Sequence, residues 1–331
     1  MRSNNSNGSR VSWARGFMAL FAIVLEMGLA LATYPAEAAP FLYVANAPAT
    51  VSAIDTATNT VVATVPVGQN PEQLAVTPDG THVYVANAND NTVSVIGTAT
   101  NTVVKTIPVG NTPIGVAVTP DGTKVYVANY GSNTVSVIHR PGNTVVKTVP
   151  VGTNPNGVAV TPDGTRVYVA NISSNNVSVI ARPGNAVVAT VAVGVGPVGV
   201  AVTPDGTHAY VANRGSSNIS VIDTASNTVV GLPIPVGNGL FGVTITPDGT
   251  HVYVANIQSN TVSVIHTATK TVVKTIPVGT TPIAVAVSPD GTHVYVANNN
   301  SNNVSVIARP GNAVVATIPV GFFPAAVAIG P

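Results

Sequence analysis

The six histidines are the side chains of this sequence best suited to acid–base or metal chemistry near neutral pH. Four of them share one repeated position, two residues after a turn glycine, and other copies place lysine or arginine there. A position that accepts all three residue types is typical of a solvent-facing hairpin, so we predict no catalytic histidine. The residues at this position are His82, Lys124, Arg166, His208, His251 and His293. His139 and His266 share a second variable position, and we expect both on the surface.

Six aspartates lie in Pro-Asp-Gly turns, one in each of six copies of a repeat. Two carboxylates that act as general acid and base must lie about 5–10 Å apart at one bond, whereas a repeat spreads these residues around the fold. Aspartate bonds its own backbone in such turns, which already explains its presence. The aspartates also lack the spacing of a calcium-binding loop, and without cysteine a covalently attached haem is excluded. We therefore predict no catalytic residue, no metal site and no cofactor. The aspartates are Asp79, Asp121, Asp163, Asp205, Asp248 and Asp290.

The repeat has a period of about 42 residues and occurs seven times. A Tyr-Val-Ala-Asn run marks each copy, and successive tyrosines are separated by 41, 42, 42, 42, 43 and 42 residues. A fixed period of this length indicates a solenoid, a propeller or a similar array. The marker tyrosines are Tyr43, Tyr84, Tyr126, Tyr168, Tyr210, Tyr253 and Tyr295. We expect them to pack between repeats, with each hydroxyl bonded to a backbone group.

Each repeat contains four valine-rich segments bounded by turn residues, which predicts four short strands. In one copy they are Gly115–Val118, Lys124–Ala128, Thr134–Ile138 and Thr144–Val151. Both faces of the second strand are apolar, so each small sheet must be covered on both sides. The fourth strand carries Pro150 and a more mixed face, which suits an outer edge. Four-stranded antiparallel sheets packed face to face are the blades of a β-propeller, so we predict an all-β, seven-bladed propeller.

An open solenoid is the alternative architecture, and we expect a closed ring instead. Open stacks need polar capping repeats. Here the repeats begin at Phe41 with a second strand that lacks its first, and they end with a first strand at Ala325–Pro331 that lacks its second. The two fragments complete each other, so the C-terminal strand should pair with the N-terminal blade and leave no open edge.

Residues 1–38 have the pattern of a secretory signal peptide. Arginines precede an apolar run, and the small residues Ala36 and Ala38 flank Glu37 before a predicted cleavage site. A retained membrane anchor is the alternative, but Glu26 divides the apolar run below the roughly 18–20 residues of a span. We therefore predict an exported protein, periplasmic, on the cell surface or extracellular, with its propeller at residues 39–331 and no transmembrane segment after cleavage.

The charge balance of the predicted mature chain argues against binding to nucleic acid. Cleavage would remove three basic and two acidic residues, Arg2, Arg10, Arg15, Glu26 and Glu37. The remaining chain has ten basic and ten acidic residues, a net charge of zero. A nucleic-acid-binding protein would carry a basic patch or stripe. We expect a monomer whose partner is a protein or glycan of the cell envelope or extracellular space.

The repeated motifs resemble those of the YVTN family of β-propellers. Tyr-Val-Ala-Asn is followed by Thr-Val-Ser-Val-Ile, Val-Val-Lys-Thr-Ile-Pro-Val-Gly and Val-Thr-Pro-Asp-Gly, and the resemblance covers residues 41–331. The threonine in the family's name is alanine in every copy here. The resemblance implies a seven-bladed propeller of exported bacterial and archaeal proteins, surface-layer proteins among them. The wider superfamily is similar to lactonase-like propellers and to the haem d1 domain of nitrite reductase.

Departures from the repeat are the best candidates for a binding site. Within each blade, the turns that join the first two and the last two strands lie on one side of the ring, which we call the turn side. The second-to-third loops and the connections between blades lie on the other, the loop side. Exposed aromatic residues near the axis suggest a binding surface. The departures predicted for the loop side are Glu72, Asp90, Tyr130, Arg214, Leu240, Phe241, Phe322 and Phe323.

Two functions remain open at this point. The first is a non-enzymatic binding or scaffold module, with Glu72, Tyr130, Arg214, Phe241, Phe322 and Phe323 as ligand-binding residues. The alternative is a lactonase- or lyase-like enzyme with its site at the mouth of the channel. An enzyme needs several titratable groups that converge, and the predicted loop side offers two acids and one base. The sequence therefore favours the binding module.

Overall fold

The computed structural model describes residues 40–331, which form 29 strands. The predicted signal peptide and its cleavage site lie outside these residues. The first 15 strands are β1 Phe41–Asn46, β2 Thr50–Asp55, β3 Thr60–Pro66, β4 Pro71–Val76, β5 His82–Asn87, β6 Thr92–Gly97, β7 Thr102–Pro108, β8 Pro113–Val118, β9 Lys124–Asn129, β10 Thr134–His139, β11 Thr144–Pro150, β12 Pro155–Val160, β13 Arg166–Asn171, β14 Asn176–Ala181 and β15 Ala186–Ala192. The others are β16 Pro197–Val202, β17 His208–Asn213, β18 Asn218–Asp223, β19 Thr228–Val229, β20 Ile234–Pro235, β21 Leu240–Ile245, β22 His251–Asn256, β23 Thr261–His266, β24 Thr271–Pro277, β25 Pro282–Val287, β26 His293–Asn298, β27 Asn303–Ala308, β28 Ala313–Pro319 and β29 Pro324–Ile329.

The strands form seven antiparallel sheets, the blades of a closed propeller. Blade 1 has the order β29-β1-β2-β3 from the axis outwards, so the last strand completes the first blade as predicted. Blades 2, 3 and 4 are β4–β7, β8–β11 and β12–β15. Blade 5 is β16–β20, and blades 6 and 7 are β21–β24 and β25–β28. The seven innermost strands contact one another in an unbroken circle, which confirms the ring.

Every predicted strand of the repeat is present, with small shifts at its ends. The innermost strand of blade 3 starts at Pro113, two residues before the predicted start. Proline is tolerated as the first residue of a strand because it lacks only the N–H group that the ladder would use. Blade 5 is the exception, because Gly231, Leu232 and Pro233 divide its outermost strand into β19 and β20.

The core lies between the blades, as the apolar faces predict. Residues 125–128 of β9 are fully buried on both faces. On the outermost strand Val149 is buried, whereas Val146 is 53% exposed. The valines that face a neighbouring blade contribute roughly 1.5–3 kcal/mol each through burial. Packing between blades therefore stabilises the ring.

The marker tyrosines pack between blades as predicted, but the prediction of a backbone partner for each hydroxyl is wrong. Tyr84 donates its hydroxyl hydrogen bond to Asn143 Oδ1 at 2.6 Å, and Tyr168 donates to Asn227 Oδ1 at 2.9 Å. Each asparagine belongs to the outer turn of the next blade, where positive φ favours asparagine. Four of the seven tyrosines, Tyr84, Tyr126, Tyr168 and Tyr253, therefore tie the second strand of one blade to the outer turn of its neighbour.

A buried asparagine at the end of each second strand was not singled out by the sequence analysis. Asn129 Nδ2 donates to Ser136 Oγ at 3.0 Å and to Thr134 Oγ1 at 3.0 Å, which joins β9 to β10. A Cβ atom on Gly110 would lie 2.7 Å from this amide, so only glycine fits in the connection that covers it. The equivalent asparagines are Asn46, Asn87, Asn171, Asn213, Asn256 and Asn298, all fully buried.

Ring closure yields a direct test. Deleting Pro324–Pro331 removes β29 and exposes the inner edge of β1, so we expect aggregation or a melting temperature at least about 5 °C lower, the shift of roughly 2 kcal/mol in a domain of this size. Thermal unfolding followed by circular dichroism measures the change. Deleting Pro331 alone, which keeps β29, is the control, and equal melting of the two deletions would contradict closure by β29.

Candidate functional site

The innermost strands bulge at the end that borders the loop side. In blade 2, Pro71 pairs with Asn87 and Leu74 pairs with Val85, and the register shifts between them. The shift leaves Glu72 outside the regular ladder. Blade 6 repeats this arrangement between Leu240 and Val243, where Phe241 lies. The sequence analysis assigned Glu72 and Phe241 to connecting loops, and that assignment is wrong. A bulge redirects side chains locally, and the two occupy corresponding positions in their blades.

The bulged positions make one arc of the channel wall apolar. A cavity of about 170 Å³ lies at the axis, and Val198, Phe241, Ile283 and Ala325 of blades 5, 6, 7 and 1 line it. The same position in blade 2 holds Glu72. The channel is therefore too small for a large ligand, and its loop-side end has an apolar half and a half that contains an acid.

Glu72 is half-buried beside this channel. Asn70 Nδ2 donates a hydrogen bond to Glu72 Oε1 at 2.8 Å. Burial raises the pKa of the Glu72 carboxyl above its ordinary value, and the Asn70 hydrogen bond opposes that shift only in part. The ionised carboxylate is consequently less stable here than in water.

Two of the predicted binding residues, Arg214 and Phe241, are in contact. The Arg214 guanidinium carbon lies 5.9 Å from the centroid of the Phe241 ring, within the range of a cation–π interaction. Arg214 is exposed and begins the second-to-third loop of blade 5, where its backbone N–H donates to Gly196 O at 2.9 Å. An open pocket of about 440 Å³ adjoins the pair, with Ile172 and Gln258 on its walls. This pocket offers a cation, apolar surface and an amide to a ligand.

Phe322 and Phe323 form an exposed aromatic pair on the connection from blade 7 to blade 1. They are 67% and 53% exposed, and Phe323 N donates to Asn302 Oδ1 at 2.8 Å. Phe323 has a φ of 48°, in the left-handed region that is strained for a bulky side chain. The corresponding residues of the other connections, which share positive φ, are Asn70, Thr112, Asn154, Gly196, Gly239 and Thr281.

The other predicted residues of the loop side have structural contacts or lie apart. Asp90 Oδ2 accepts a hydrogen bond from Gln69 N at 2.8 Å, and Leu240 is fully buried. Tyr130 is half-buried in blade 3, where its carbonyl accepts a hydrogen bond from Asn154 Nδ2 at 3.2 Å. The candidate site thus divides into an aromatic and cationic group on blades 5, 6, 7 and 1, and Glu72 and Tyr130 on blades 2 and 3.

The turn aspartates have the local partners that turn chemistry predicts. Asp79 Oδ1 accepts hydrogen bonds from Thr77 Oγ1 at 2.6 Å and from Thr81 N at 3.1 Å. The sequence analysis missed a third partner, because Arg140 of the next blade donates to Asp79 Oδ2 at 2.6 Å. Burial would raise the pKa of Asp79, but hydrogen bonds from Thr77, Arg140 and Thr81 outweigh it and hold this pKa well below its usual range.

The same pairing joins Arg182 to Asp121 at 3.0 Å and Arg309 to Asp248 at 3.3 Å. A signal for it exists in the sequence, because the outer turns carry either arginine or threonine at this one position. The four turn histidines are half-buried rather than solvent-facing as predicted, and His82 and His251 lie beside two of these pairs. Burial lowers the pKa of His82, and the Arg140 charge adds to that effect. Within residues 40–331, no three His, Cys, Asp or Glu side chains come together as metal ligands.

The fold and the loop side define a class, the closed seven-bladed β-propeller with a narrow channel and a variable loop side. The family model for YNCE-like β-propellers matches residues 11–329, and the chain belongs to that family. A search of the curated proteins gives no match.

Solved structures of similar fold come from several bacteria. Kuenenia stuttgartiensis hydrazine synthase is 25% identical, with a TM-score of 0.71 over 78% of this chain and 90% of that one. A Desulfotomaculum acetoxidans protein of unknown function is 20% identical, with a TM-score of 0.77 over 88% and 98%. A proposed 6-phosphogluconolactonase of Bacteroides uniformis is also 20% identical, with a TM-score of 0.73 over 88% and 99%. The last two likenesses establish the propeller fold alone.

The raised pKa of Glu72 predicts that Glu72→Gln increases the stability of the fold in a pH-dependent way. The pKa of the Glu72 carboxyl is higher in the folded chain than in the unfolded chain, where it is about 4.3. Such a group leaves the free energy of unfolding unaffected at low pH and lowers it as the pH rises through the folded pKa. We therefore expect Glu72→Gln to raise the melting temperature at pH 7.5 and to have little effect at pH 3.5. Calorimetry of both proteins at both values measures this. An equal effect at the two pH values would show that ionisation of Glu72 is not its source.

Proposed function

We propose that this protein is an exported, non-enzymatic binding module that engages a partner through the loop side of its propeller. The partner is a protein or glycan of the cell envelope or the extracellular space, and the protein acts as a monomer. The observation that carries the proposal is the exposed pair Phe322 and Phe323, the second of which has a strained backbone.

Folding does not explain this aromatic pair. The connection from blade 3 to blade 4 reaches the same geometry with the polar residues Thr153 and Asn154, and asparagine suits the positive φ of residue 154. A bulky residue in the left-handed region costs roughly 1–2 kcal/mol, and the Phe323 side chain, which is 53% exposed, gains only part of the stabilisation of a buried ring. Strain that the fold does not require is a recognised sign of a functional surface.

Arg214 and Phe241 extend this surface around the ring. Together with Phe322 and Phe323 they occupy blades 5, 6, 7 and 1, where the channel wall is also apolar. Aromatic residues and arginine dominate the energetics of protein interfaces and are enriched there over lysine and glutamate. The combination favours a protein partner over a glycan.

Export rests on the signal-peptide pattern of residues 1–38. Among residues 40–331, no helix is long and apolar enough to cross a membrane.

A lactonase-like hydrolase is the second candidate. It is favoured by the raised pKa of Glu72 beside the channel, which suits a proton-transfer group, and by the resemblance of the fold to a proposed 6-phosphogluconolactonase. Against it, Glu72 on blade 2 is bonded by Asn70 and Arg214 on blade 5 contacts Phe241, so the acid and the base have separate partners. Hydrolysis of glucono-δ-lactone that is abolished by Glu72→Gln would establish this alternative.

The binding surface can be tested with the chain's own polar connection as a template. Replacing Phe322 by Thr and Phe323 by Asn copies Thr153 and Asn154. We expect the double variant to bind isolated cell envelopes of the producing organism at least about thirtyfold more weakly, the ratio for loss of a 2 kcal/mol hot spot. Its melting temperature should rise by a few degrees because the strain at residue 323 is relieved. Co-sedimentation and calorimetry measure the two effects.

The matched control is Thr280→Asn with Thr281→Asn, which places asparagine at the same positive-φ position of another connection and changes no aromatic residue. This control should bind the envelopes as the wild type does. Protease treatment of the envelopes distinguishes a protein partner from a glycan. Wild-type binding by the Phe322→Thr, Phe323→Asn variant would contradict the proposal.

A further inference from the structure

The interface between blades 2 and 3 shows how this fold recognises a guanidinium group. Arg140 Nη2 donates to Asp79 Oδ2 at 2.6 Å and to Thr81 Oγ1 at 2.7 Å, and lies 3.4 Å from His82 Nδ1. Asp79, Thr81 and His82 belong to one turn on the turn side of blade 2. Arginine from the next blade thus meets a carboxylate, a hydroxyl and an imidazole that are already fixed by the turn.

The interface between blades 5 and 6 has the same carboxylate, hydroxyl and imidazole but lacks the arginine. Thr207 Oγ1 donates to Asp205 Oδ1 at 2.9 Å and lies 2.7 Å from His208 Nδ1, which matches the geometry in blade 2. Thr267 occupies the position of Arg140, and its hydroxyl donates to Gly249 O at 2.8 Å. Threonine is too short to reach across to the aspartate of blade 5.

Asp205 therefore has an unused carboxylate oxygen. Its hydrogen bonds from Thr203 and Thr207 all go to Oδ1, and within residues 40–331 Oδ2 accepts none. Two other turns that lack an arginine partner differ in this respect, because Asp163 Oδ2 and Asp290 Oδ2 each accept a threonine hydroxyl. Blade 5 thus combines the histidine, the hydroxyl and a free carboxylate oxygen.

An open pocket of about 510 Å³ lies against these groups. Asp205, His208 and Tyr210 form its wall on blade 5, and Lys270 lines it from blade 6. Its second carboxylate, Asp248, is paired with Arg309.

Lys270 gives the pocket a cationic outer border. It occupies the turn position that is asparagine in blade 3, Asn143, where the residue bonds the tyrosine of the neighbouring blade. A Cβ atom added to Gly231 would lie 4.0 Å from Lys270 Nζ, which places the ammonium at the interruption of the outermost strand of blade 5. The pocket consequently has a free carboxylate oxygen on one wall and an ammonium towards its outer edge.

We propose that this pocket binds a guanidinium compound that also carries a carboxylate, either free arginine or an arginine at the C-terminus of a peptide. The guanidinium donates to Asp205 Oδ2 and Thr207 Oγ1 and lies beside the His208 ring, as Arg140 does beside His82 in blade 2. The carboxylate of the ligand pairs with Lys270. Charge-assisted hydrogen bonds from a planar guanidinium make this site selective for arginine over lysine. The site lies on the turn side and does not depend on the proposed function of the loop side.

Isothermal titration or saturation-transfer NMR with L-arginine tests the site. For about 12 non-hydrogen atoms we expect a dissociation constant on the order of millimolar. L-Lysine, which lacks the guanidinium, should bind at least about tenfold more weakly, and so should agmatine, which lacks the carboxylate. A peptide that ends in arginine, compared with the same peptide amidated at its C-terminus, distinguishes the peptide source from the free amino acid.

Thr267→Arg is the decisive variant, because the introduced guanidinium should occupy Asp205 Oδ2 as Arg140 occupies Asp79 Oδ2. We expect it to weaken arginine binding at least about tenfold and to keep or raise the melting temperature. Thr224→Arg, the same substitution at the interface of blades 4 and 5, should leave binding unchanged. Asp205→Asn, which keeps the side-chain shape, provides a second loss-of-binding variant.

Three results would overturn the proposal. They are no binding of arginine at tens of millimolar, equal binding of arginine and lysine, and wild-type affinity in both Thr267→Arg and Asp205→Asn. Equal affinity for arginine and agmatine would overturn the role of Lys270.

Discussion

The structure depends on the close approach of its innermost strands around the axis. A Cβ atom on Gly115 would lie 1.9 Å from the carbonyl oxygen of Asn156 on the next blade, and one on Gly157 would lie 2.5 Å from the carbonyl oxygen of Val198. Gly199 meets the next blade in the same way. Blades 3, 4, 5 and 6 therefore each touch the next blade backbone to backbone, which a side chain would prevent, whereas the equivalent position holds Gln73, Ala284 and Ala326 in blades 2, 7 and 1. These four close contacts belong to a ring that closes with β29 beside β1.

A narrow axis moves binding away from the centre of the ring. The cavity at the axis measures about 170 Å³, whereas the pockets beside Arg214 and beside Asp205 measure about 440 and 510 Å³. Both larger pockets lie at blades 5 and 6, the pair joined by the longest repeat interval. Repeat copies with few differences leave few positions for specificity, so a residue that departs from its copies carries more information than one that matches them.

The period of the repeat and its turn chemistry were enough to predict the fold, because each strand is bounded by the same proline, glycine and asparagine signals. The candidate site could be predicted only in part. The approach of Arg214 to Phe241 depends on the bulge in β21, which no local sequence signal marks. The pairing of Arg140 with Asp79 joins residues 61 positions apart, so it follows only from the packing of blade 3 on blade 2. The prediction of a backbone partner for each tyrosine hydroxyl was wrong for the same reason.

The melting temperature of Gly115→Ala tests the central claim, that backbone contact between innermost strands holds the ring closed. The added methyl group must displace the strand of the next blade, which we expect to cost about 1–3 kcal/mol or more and to lower the melting temperature by several degrees. Gly184→Ala is the control, because an added Cβ there meets no atom within 4 Å. The account predicts a clear loss for Gly115→Ala and little change for Gly184→Ala. Equal melting of the two variants would contradict it.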